Sequence, residues 1–436
     1  MAENNEALLS RAEQIAREIA RLLDANLSLR LWDGQVVPLG KNVTSELCIS
    51  ISSPGVISSL LRWPSLDRLI RHYALGQIDL EGGTLLDVGR ALEASGDGRK
   101  RLKGMSYTRL ARQLWPFLLA PSERPGSGRS YSGDEDGGAR KQAENRDFIQ
   151  FHYDVGNDFY ALFLDQQLIY SCAYFTEPDN TIDQAQVDKL SLICRKLRLK
   201  PGDRFLDIGC GWGALILHAA EHYGVTAHGI TLSEAQLAEA RRRIAAKGLS
   251  EQVTVELRDY ADINGTYDKI ASVGMYEHIG IANIDTYFRT VRRALAPDGL
   301  FLNHAISRRA KRKQRRFSAR AEQRALQKYI FPGGELDDIG HTVAAMEQAG
   351  FEVHDVEGLR WHYARTTELW CQRLRSRRDE AVALVGEQTY RIWLAYLAAC
   401  SLAFERGSAR IFQTLASKSA KGRPPLPATR ADLYRD

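Results

Sequence analysis

One glycine-rich segment of this 436-residue chain has the composition of a ligand cradle. It runs from Asp207 to Gly213 and reads DIGCGWG, between the apolar strand pattern 205–208 and a helical pattern. Glycine lets the backbone turn tightly and approach a ligand closely. The spacing GxGxG, with an acidic residue two positions before the first glycine, favours S-adenosylmethionine over a dinucleotide. We therefore expect that cofactor to be bound by Asp207, Gly209, Gly211 and Gly213.

Polar residues after the next two strand patterns are candidates for the remaining cofactor contacts. Many methyltransferases place a carboxylate at the end of the second strand, where it holds the ribose hydroxyls. Here that place reads GITLS, without a carboxylate. Thr231 and Gln236 are therefore the candidates for these polar contacts, and Leu232, next to Thr231, is a further candidate cofactor-binding residue. Asp259 and Tyr260 follow the third strand pattern and are candidates for contact with the adenine.

Strand and helix patterns alternate through the middle of the chain. The apolar strand patterns cover 205–208, 225–230, 253–257, 269–273 and 299–303. Helical patterns such as 214–223 and 233–247 separate them. This alternation predicts an α/β fold, a Rossmann-like methyltransferase sheet with helices on both faces. Ligands bind such sheets at the carboxyl ends of the strands, where the glycine-rich turn lies.

Six further segments carry a resemblance to one family. They are Phe151–Tyr160, Tyr170–Phe175, Ser272–Gly280, Phe301–Ile306, Lys328–Gly334 and His362–Thr366. With the glycine-rich turn, they resemble the cyclopropane-fatty-acid synthase family, which includes the mycolic acid cyclopropane synthases. The resemblance runs from about Phe148 to near Lys418. The residues before it look like the extra domain of the longer bacterial members that modify phospholipids.

The resemblance implies a reaction on unsaturated acyl chains of membrane phospholipids. A methylene group from S-adenosylmethionine is added to a cis double bond, through methyl transfer, a carbocation and loss of a proton from the new methyl group. Such a site must position its reactants and exclude water, which would trap the cation. One alternative is a C-methyltransferase that leaves a methyl branch on a lipid or modifies a small natural product. Another is an inactive lipid-binding protein, against which the intact motifs argue.

The family is understood to hold a bicarbonate ion as the base for this proton. Carried over by motif, the holders are Glu277, His304 and Tyr363, with backbone groups of Cys172 and Ile306. An anion beside Glu277 forms a like-charge pair, so a shared proton is expected. His304 and Tyr363 are able to donate hydrogen bonds to the ion.

Two more assignments follow from the same resemblance. Tyr170 and Ser171 would close over the cofactor in the family pattern. Cys400 aligns with a cysteine once assigned as an active-site nucleophile. Core packing on a helix is the favoured interpretation of Cys400, because the chemistry needs no covalent thioether and a buried thiol in apolar surroundings is usually inert.

The cysteines and the apolar segments bear on location. The cysteines have no paired spacing, so we expect free thiols in a reducing cytoplasm and no metal site. The N-terminus lacks an apolar signal segment. The most apolar stretch, Tyr390–Phe404, is shorter than the roughly 20 residues that span a membrane. We therefore expect a cytoplasmic protein whose membrane contact is peripheral, on the inner face.

Composition also predicts the domains. Residues 121–145 are rich in glycine, serine and charge, which favours a flexible linker. Before it, residues 1–120 mix helix and strand patterns and predict a small α+β domain for lipid positioning or oligomerisation. After it, residues 146–436 form the predicted catalytic domain. Because relatives form dimers, a homodimer is expected.

A basic run, Arg308–Arg316, directly follows the His304 motif. The whole chain is only mildly basic, with a net charge of +5. Such runs are usually solvated surface. Its place beside the presumed substrate entrance also suits anionic phospholipid headgroups, where each basic residue contributes about 1 kcal/mol. No nucleic-acid-reading motif accompanies the run, so we expect no nucleic-acid partner.

Overall fold

The computed structural model describes residues 2–96, 107–123, 155–310, 329–330, 334–418, 422 and 424–434. The chain divides into two compact units. In the described residues, the first unit comprises 2–123 with 378–402, and the second comprises the others. The predicted linker lies almost wholly outside the described residues, as do residues 151–154 of the first family segment. The predicted domain boundaries stay a prediction.

In its described residues, the first unit packs helices against a four-stranded sheet. The helices are α1 (Ala2–Leu23), α2 (Pro54–Arg62), α3 (Leu66–Ala74), α4 (Leu85–Ala94) and α5 (Tyr107–Leu119). The strands are β1 (Ser28–Arg30), β2 (Val36–Pro38), β3 (Cys48–Ile51) and β4 (Ile78–Glu81), in the order β2-β1-β3-β4. Leu27, Val37 and Phe117 are among its buried core residues. The predicted N-terminal α+β fold is confirmed.

The second unit is built on a sheet of seven strands within the part of the chain that the structure describes. They are β5 (Arg204–Ile208), β6 (Thr226–Thr231), β7 (Val253–Leu257), β8 (Tyr267–Val273), β9 (Leu295–Arg308), β10 (Phe351–Gly358) and β11 (Ala409–Lys418). Their order is β10-β11-β9-β8-β5-β6-β7. β11 is antiparallel to both neighbours, and the other strands share one direction. The parallel strands agree with the predicted Rossmann-like methyltransferase sheet, whereas the antiparallel strand β11 was not predicted.

Helices cover both faces of this sheet. They are α6 (Asn157–Ala161), α7 (Ile182–Leu197), α8 (Ala214–Tyr223), α9 (Glu234–Ala246), α10 (Ile284–Ala294), α11 (Ile339–Gln348) and α12 (Arg360–Ser376). Adjacent residues of β5 enter different cores: Phe205 packs with residues of α7, α8 and α9, whereas Leu206 packs with α10 and α11. Side chains alternate between the faces of a strand, so the helices form a layer on each side, as predicted.

A last helix, α13 (Arg378–Glu405), contains the most apolar stretch of the chain and is interrupted at Gly386. Its buried Arg391 donates hydrogen bonds to the carbonyl oxygens of Tyr73 and Ile78 and pairs with Asp79 at 2.7 Å, all within the first unit. The stretch is therefore a packed helix. Among the described residues, no helix has both the length and the apolar character needed to cross a bilayer.

Candidate active site

The glycine-rich turn leaves the carboxyl end of β5 and enters α8. Gly209 and Cys210 donate backbone hydrogen bonds to the carbonyl oxygen of Ile230 on β6, at 2.9 and 3.0 Å. Gly209 has a φ of 80°, which favours glycine. A β-carbon at Gly209 would lie 2.9 Å from the Met275 side chain. The turn is thus fixed against the sheet and has no room for a side chain at this position.

A pocket opens at the carboxyl ends of β5, β6, β7 and β8. Its walls contain most of the residues predicted to bind the cofactor, namely Tyr170, Ser171, Asp207, Gly209, Gly211, Thr231, Leu232, Gln236 and Tyr260. Gly213 and Asp259 lie outside these walls. Gly213 directly precedes α8 as its N-cap, and a β-carbon there would lie 3.3 Å from Ala240. Asp259 caps the 3₁₀ helix Tyr260–Asp262 by accepting a hydrogen bond from the Ala261 backbone at 2.8 Å.

Thr231 and Gln236 form the polar edge of the pocket at the end of β6. The Thr231 hydroxyl donates to Gln236 Oε1 at 2.8 Å. Ser233 caps α9 by accepting from the Gln236 backbone at 3.3 Å. These contacts hold two neutral polar side chains at the end of β6, the position at which many methyltransferases have a carboxylate.

Asp207 places a buried carboxylate in the pocket wall. Its Oδ1 atom has no hydrogen-bond partner among the described residues. Burial raises the pKa of Asp207 to about 7, against the opposing charge of Lys189. Buried polar atoms normally have partners, and a cationic ligand group would supply one here and favour the ionised form of this carboxyl group. Together with the glycine cradle, it fits the ammonium group of S-adenosylmethionine.

Glu277 and Ile306 meet at neighbouring strand ends. Glu277 lies on the 3₁₀ helix Tyr276–His278, which follows β8, and Ile306 lies on β9. Glu277 Oε1 accepts a hydrogen bond from the Ile306 backbone N–H, whereas Oε2 has no partner among the described residues. Burial raises the pKa of Glu277 to about 7. The carboxyl group is thus suited to hold or share a proton near neutral pH.

His304 is buried on β9, between β8 and β11. Gln413 on β11 donates from Nε2 to His304 Nδ1 at 3.1 Å. Burial lowers the pKa of His304 well below its usual range, so the imidazole is neutral. With Nδ1 accepting, the proton lies on Nε2. Nε2 has no partner among the described residues and is available as a donor.

Cys172 lies against the start of α12, the helix that carries Tyr363. Its sulfur is 3.8 Å from the Leu359 carbonyl oxygen, and the next residue, Ala173, donates its backbone N–H to Thr366 Oγ1 at 3.1 Å. Burial raises the pKa of the Cys172 thiol well above its usual range. The thiol is therefore protonated, which leaves backbone groups as the polar contribution of this residue.

Tyr363 is buried one turn into α12. Its ring packs against Trp370 and Phe404, with centroid distances of 6.1 and 4.5 Å. This packing fixes the ring orientation, which a residue that binds a ligand through its hydroxyl requires.

The cofactor pocket adjoins two of the predicted bicarbonate-binding residues, His304 and Cys172. A β-carbon at Gly274 would lie 3.8 Å from the Ser171 side chain. Gly274 also donates its backbone N–H to the His304 carbonyl oxygen at 2.9 Å. Ser171 directly precedes Cys172 in the chain. His304 and Cys172 therefore both lie next to the pocket wall that contains Ser171 and Gly274.

Comparison with known proteins identifies the family. The family model for mycolic acid cyclopropane synthetase matches residues 140–414. The chain belongs to this family. A protein named "Probable fatty acid methyltransferase" from Pseudomonas putida is 41% identical over 413 residues, which cover 94% of this chain and 96% of that protein. The cyclopropane-fatty-acyl-phospholipid synthase of Escherichia coli K12 is 38% identical over 273 residues, 62% of this chain and 67% of that protein.

Solved structures of cyclopropane synthases agree with this assignment. The cyclopropane synthase MmaA2 from Mycobacterium tuberculosis matches with a TM-score of 0.59 and 34% identity, over 62% of this chain and 98% of that chain. The mycolic acid cyclopropane synthase CmaA1, in complex with SAH and CTAB, matches with a TM-score of 0.59 and 34% identity, over 62% of this chain and 97% of that chain. The chain is therefore an S-adenosylmethionine-dependent methyltransferase, and the predicted family, fold class and this cofactor are confirmed.

Two residues near the site of this cyclopropane synthase family member were missed by the sequence analysis. Lys189 on α7 lines the pocket, and Gln413 on β11 contacts His304. A lysine in a helical pattern normally indicates an exposed side chain, and β11 itself was not predicted. Neither residue therefore gave a usable signal. Among the described residues, no cluster of His, Cys, Asp or Glu side chains has the arrangement of a metal site.

Proposed function

We propose that this enzyme transfers a methylene group from S-adenosylmethionine to the cis double bond of unsaturated acyl chains in membrane phospholipids, forming a cyclopropane ring. The observation that carries the proposal is that two buried atoms, Glu277 Oε2 and His304 Nε2, lack partners among the described residues. Met275 and His278, on either side of Glu277 in the chain, line the cofactor pocket. The Escherichia coli relative named for this reaction supports the choice of phospholipid as acceptor.

The site contributes mainly by positioning and by excluding water. S-adenosylmethionine supplies an electrophilic methyl group when bound. An alkene has no charge or acidic proton through which the protein could bind it by polar contacts. The orientation of the methyl group therefore depends on the residues proposed to bind the cofactor, Asp207, Ser171 and the glycine-rich turn. Methyl transfer leaves a cation on the acyl chain, and the buried surroundings of Glu277 and His304 keep water from trapping it.

Ring closure requires a base for one proton of the new methyl group. Bicarbonate is the proposed base, held by Glu277, His304 and Tyr363 with backbone groups of Cys172 and Ile306. The residues fit an anion: the raised pKa of Glu277, about 7, lets its carboxyl keep a proton and donate, and His304 presents Nε2–H. The Ile306 N–H is already donated to Glu277, so its contribution acts through that carboxyl.

Phospholipid vesicles test the acceptor directly. The purified enzyme is incubated with S-adenosylmethionine and vesicles of a cis-unsaturated phospholipid, and the fatty esters are analysed by gas chromatography–mass spectrometry. A new ester heavier by one CH₂ group supports the proposal. Absence of that ester, while S-adenosylmethionine still binds, would remove phospholipid as the acceptor.

A methyl-branched lipid is the second candidate product. The Pseudomonas putida relative, 41% identical over nearly the whole chain, is named a probable fatty acid methyltransferase. Ring and branch share the methyl-transfer step. The cation then loses a proton from the transferred methyl group to close the ring, or a proton from the acyl chain to leave a methyl-branched alkene. NMR of the purified ester separates the two.

Peripheral membrane contact through Arg308–Arg316 is part of the proposal, although residues 311–316 lie outside the described part of the chain. Replacing Lys311, Arg312 and Lys313 with glutamine is expected to weaken binding to anionic vesicles, by about 1 kcal/mol per charge at low salt. Vesicle sedimentation measures the effect. The control replaces three other basic residues, Arg17, Arg242 and Lys247, with glutamine, which lowers the net charge by the same amount. Unchanged binding, or an equal loss in the control, would refute the contact. The homodimer and the location on the inner face stay predictions.

Cys400 is expected to be dispensable for catalysis. It lies on α13 in the first unit, and burial raises the pKa of its thiol to about 12. The thiolate, which is the nucleophilic form, is therefore scarce at neutral pH. Cys400→Ser should keep most of the turnover in the vesicle assay. A loss of about 100-fold, with folding and cofactor binding intact, would restore the catalytic assignment.

A further inference from the structure

Lys189 is a buried charged side chain that the reaction described above does not use. It is 2% exposed and lines the cofactor pocket. Its Nζ atom donates a hydrogen bond to Ser171 Oγ at 3.0 Å. Burial lowers the pKa of Lys189 to about 8, while Asp165 and Asp207 oppose that shift. The side chain is therefore mostly charged at neutral pH, and a charge in such a place is costly unless it is compensated.

The backbone around Ser171 is held by contacts that do not involve Lys189. Gln186 donates from Nε2 to the carbonyl oxygens of Ile169 and Ser171, at 3.2 and 2.9 Å. The buried Asp165 accepts backbone hydrogen bonds from Gln167 and Ile169, both at 2.8 Å. Hydrogen bonds with Gln186 and Asp165 thus hold this wall of the pocket without Lys189. The contact from Lys189 is directed instead at the Ser171 hydroxyl.

The direction of this hydrogen bond decides what the hydroxyl can do. An ammonium group only donates, so Ser171 Oγ is the acceptor and its own O–H is left to donate elsewhere. Hydrogen bonds between a polarised donor and an anion are stronger than those between neutral groups. The pocket therefore presents two different poles: the Asp207 carboxylate, and a Ser171 hydroxyl polarised by Lys189.

S-adenosylmethionine carries both complementary charges at one end, an ammonium and a carboxylate. We propose that Lys189 is a positioning residue for this aminocarboxyl end: it fixes the Ser171 hydroxyl as a donor to the cofactor carboxylate, while Asp207 accepts from the ammonium. The inference concerns the cofactor alone and does not depend on the lipid acceptor.

Binding of two cofactor analogues tests the role of Lys189. S-adenosylhomocysteine carries the aminocarboxyl end, whereas 5′-methylthioadenosine lacks it. By calorimetry, Lys189→Met is expected to weaken S-adenosylhomocysteine binding about ten-fold or more and to leave 5′-methylthioadenosine binding unchanged. Lys189→Gln keeps a donor for Ser171 and should lose less. A purely structural defect would weaken both ligands together.

A double-mutant cycle tests whether Lys189 acts through Ser171. Ser171→Ala should weaken S-adenosylhomocysteine binding on its own. Adding Lys189→Met to it should cause little further loss, because both changes remove the same hydrogen bond to the ligand. Fully additive losses would overturn the proposal. If Lys189→Met does not fold, the same cycle with Lys189→Leu decides the question, because leucine also removes the donor to Ser171.

Lys196 supplies the matched control for losing a buried lysine. It lies on α7 as well, is 1% exposed, and pairs with Asp355 at 3.4 Å and with Glu357. Lys196→Met should lower the melting temperature without changing the preference for S-adenosylhomocysteine over 5′-methylthioadenosine. An equal change of that preference in both variants would refute a specific role for Lys189. Because no lipid is present, an enzyme inactive on phospholipid still gives a valid result.

Discussion

Glu277→Gln will lower turnover by at least about 100-fold while S-adenosylmethionine still binds. The amide has nearly the same shape and can still accept the backbone hydrogen bond from Ile306, so the local fold is kept. It cannot hold and release a proton, which the carboxyl group with its pKa near 7 can do. Product formation on vesicles measures turnover, and calorimetry measures cofactor binding.

The same substitution should stabilise the folded protein at alkaline pH. The pKa of Glu277 is raised from its usual 4.5 to about 7, so the folded state holds this proton more tightly than the unfolded state. The contribution of Glu277 to the free energy of unfolding therefore falls as the pH rises between these values. Glutamine has no such penalty, so the difference in melting temperature between variant and wild type should grow across this window.

Glu352→Gln, at an exposed position on β10, is the control for both measurements. It should change neither turnover nor the pH dependence of stability. Glu277→Gln with turnover within a few-fold of wild type would show that this carboxyl group has no part in the proton transfer. Loss of cofactor binding in that variant would show that Glu277 acts on the pocket instead.

Asp207→Asn is expected to weaken S-adenosylmethionine binding about ten-fold or more, because a hydrogen bond between charged groups is replaced by one to a neutral amide. The wild-type carboxylate is buried and its Oδ1 atom has no partner among the described residues. Calorimetry with 5′-methylthioadenosine is the control, since that ligand has no ammonium group. Its affinity should not change.

This loss of affinity should come with a gain in stability. Burial raises the pKa of Asp207 to about 7, so the ionised carboxylate disfavours the folded state as the pH rises from 3.8 toward 7. Asparagine removes that penalty. A variant that binds both ligands poorly and melts at a lower temperature would contradict the account, because that pattern indicates general damage to the turn.

Local patterns were enough to predict the part of the fold that carries the cofactor. The helical pattern 214–223 agrees with α8, and the strand pattern 253–257 agrees with β7. Each is a short segment whose apolar spacing reflects burial against its own sheet. The glycines of the turn were readable for the same reason: their conformation is imposed within a few residues.

Long-range pairing was not predictable in this way. β10 and β11 were missed, and with β11 the contact of Gln413 to His304. The sequence also gave no indication that residues 378–402 group with the N-terminal unit, which depends on Arg391 meeting carbonyl groups far away in the chain. Such pairings depend on which distant segments pack together, and the spacing of apolar residues within one segment carries no information about its partner.

The candidate site shows the same division. Glu277, His304 and Tyr363 are far apart in the chain, and only the family resemblance suggested them as a group. For Glu277 and His304 the structure adds the physical reason that the sequence lacked, namely buried polar atoms without partners among the described residues. Neither the sequence pattern nor the family resemblance indicated Lys189, because its burial becomes apparent only when α7 is packed beside the pocket.

The most direct test of ring formation uses S-adenosylmethionine with a trideuterated methyl group. The enzyme is incubated with cis-unsaturated phospholipid vesicles, and the product ester is analysed by mass spectrometry and carbon NMR. Ring closure removes one deuteron from the transferred methyl group, so we expect an ester that retains two deuterium atoms and shows ring carbons. An ester that retains all three deuterium atoms would contradict ring formation and identify a methyl-branched product.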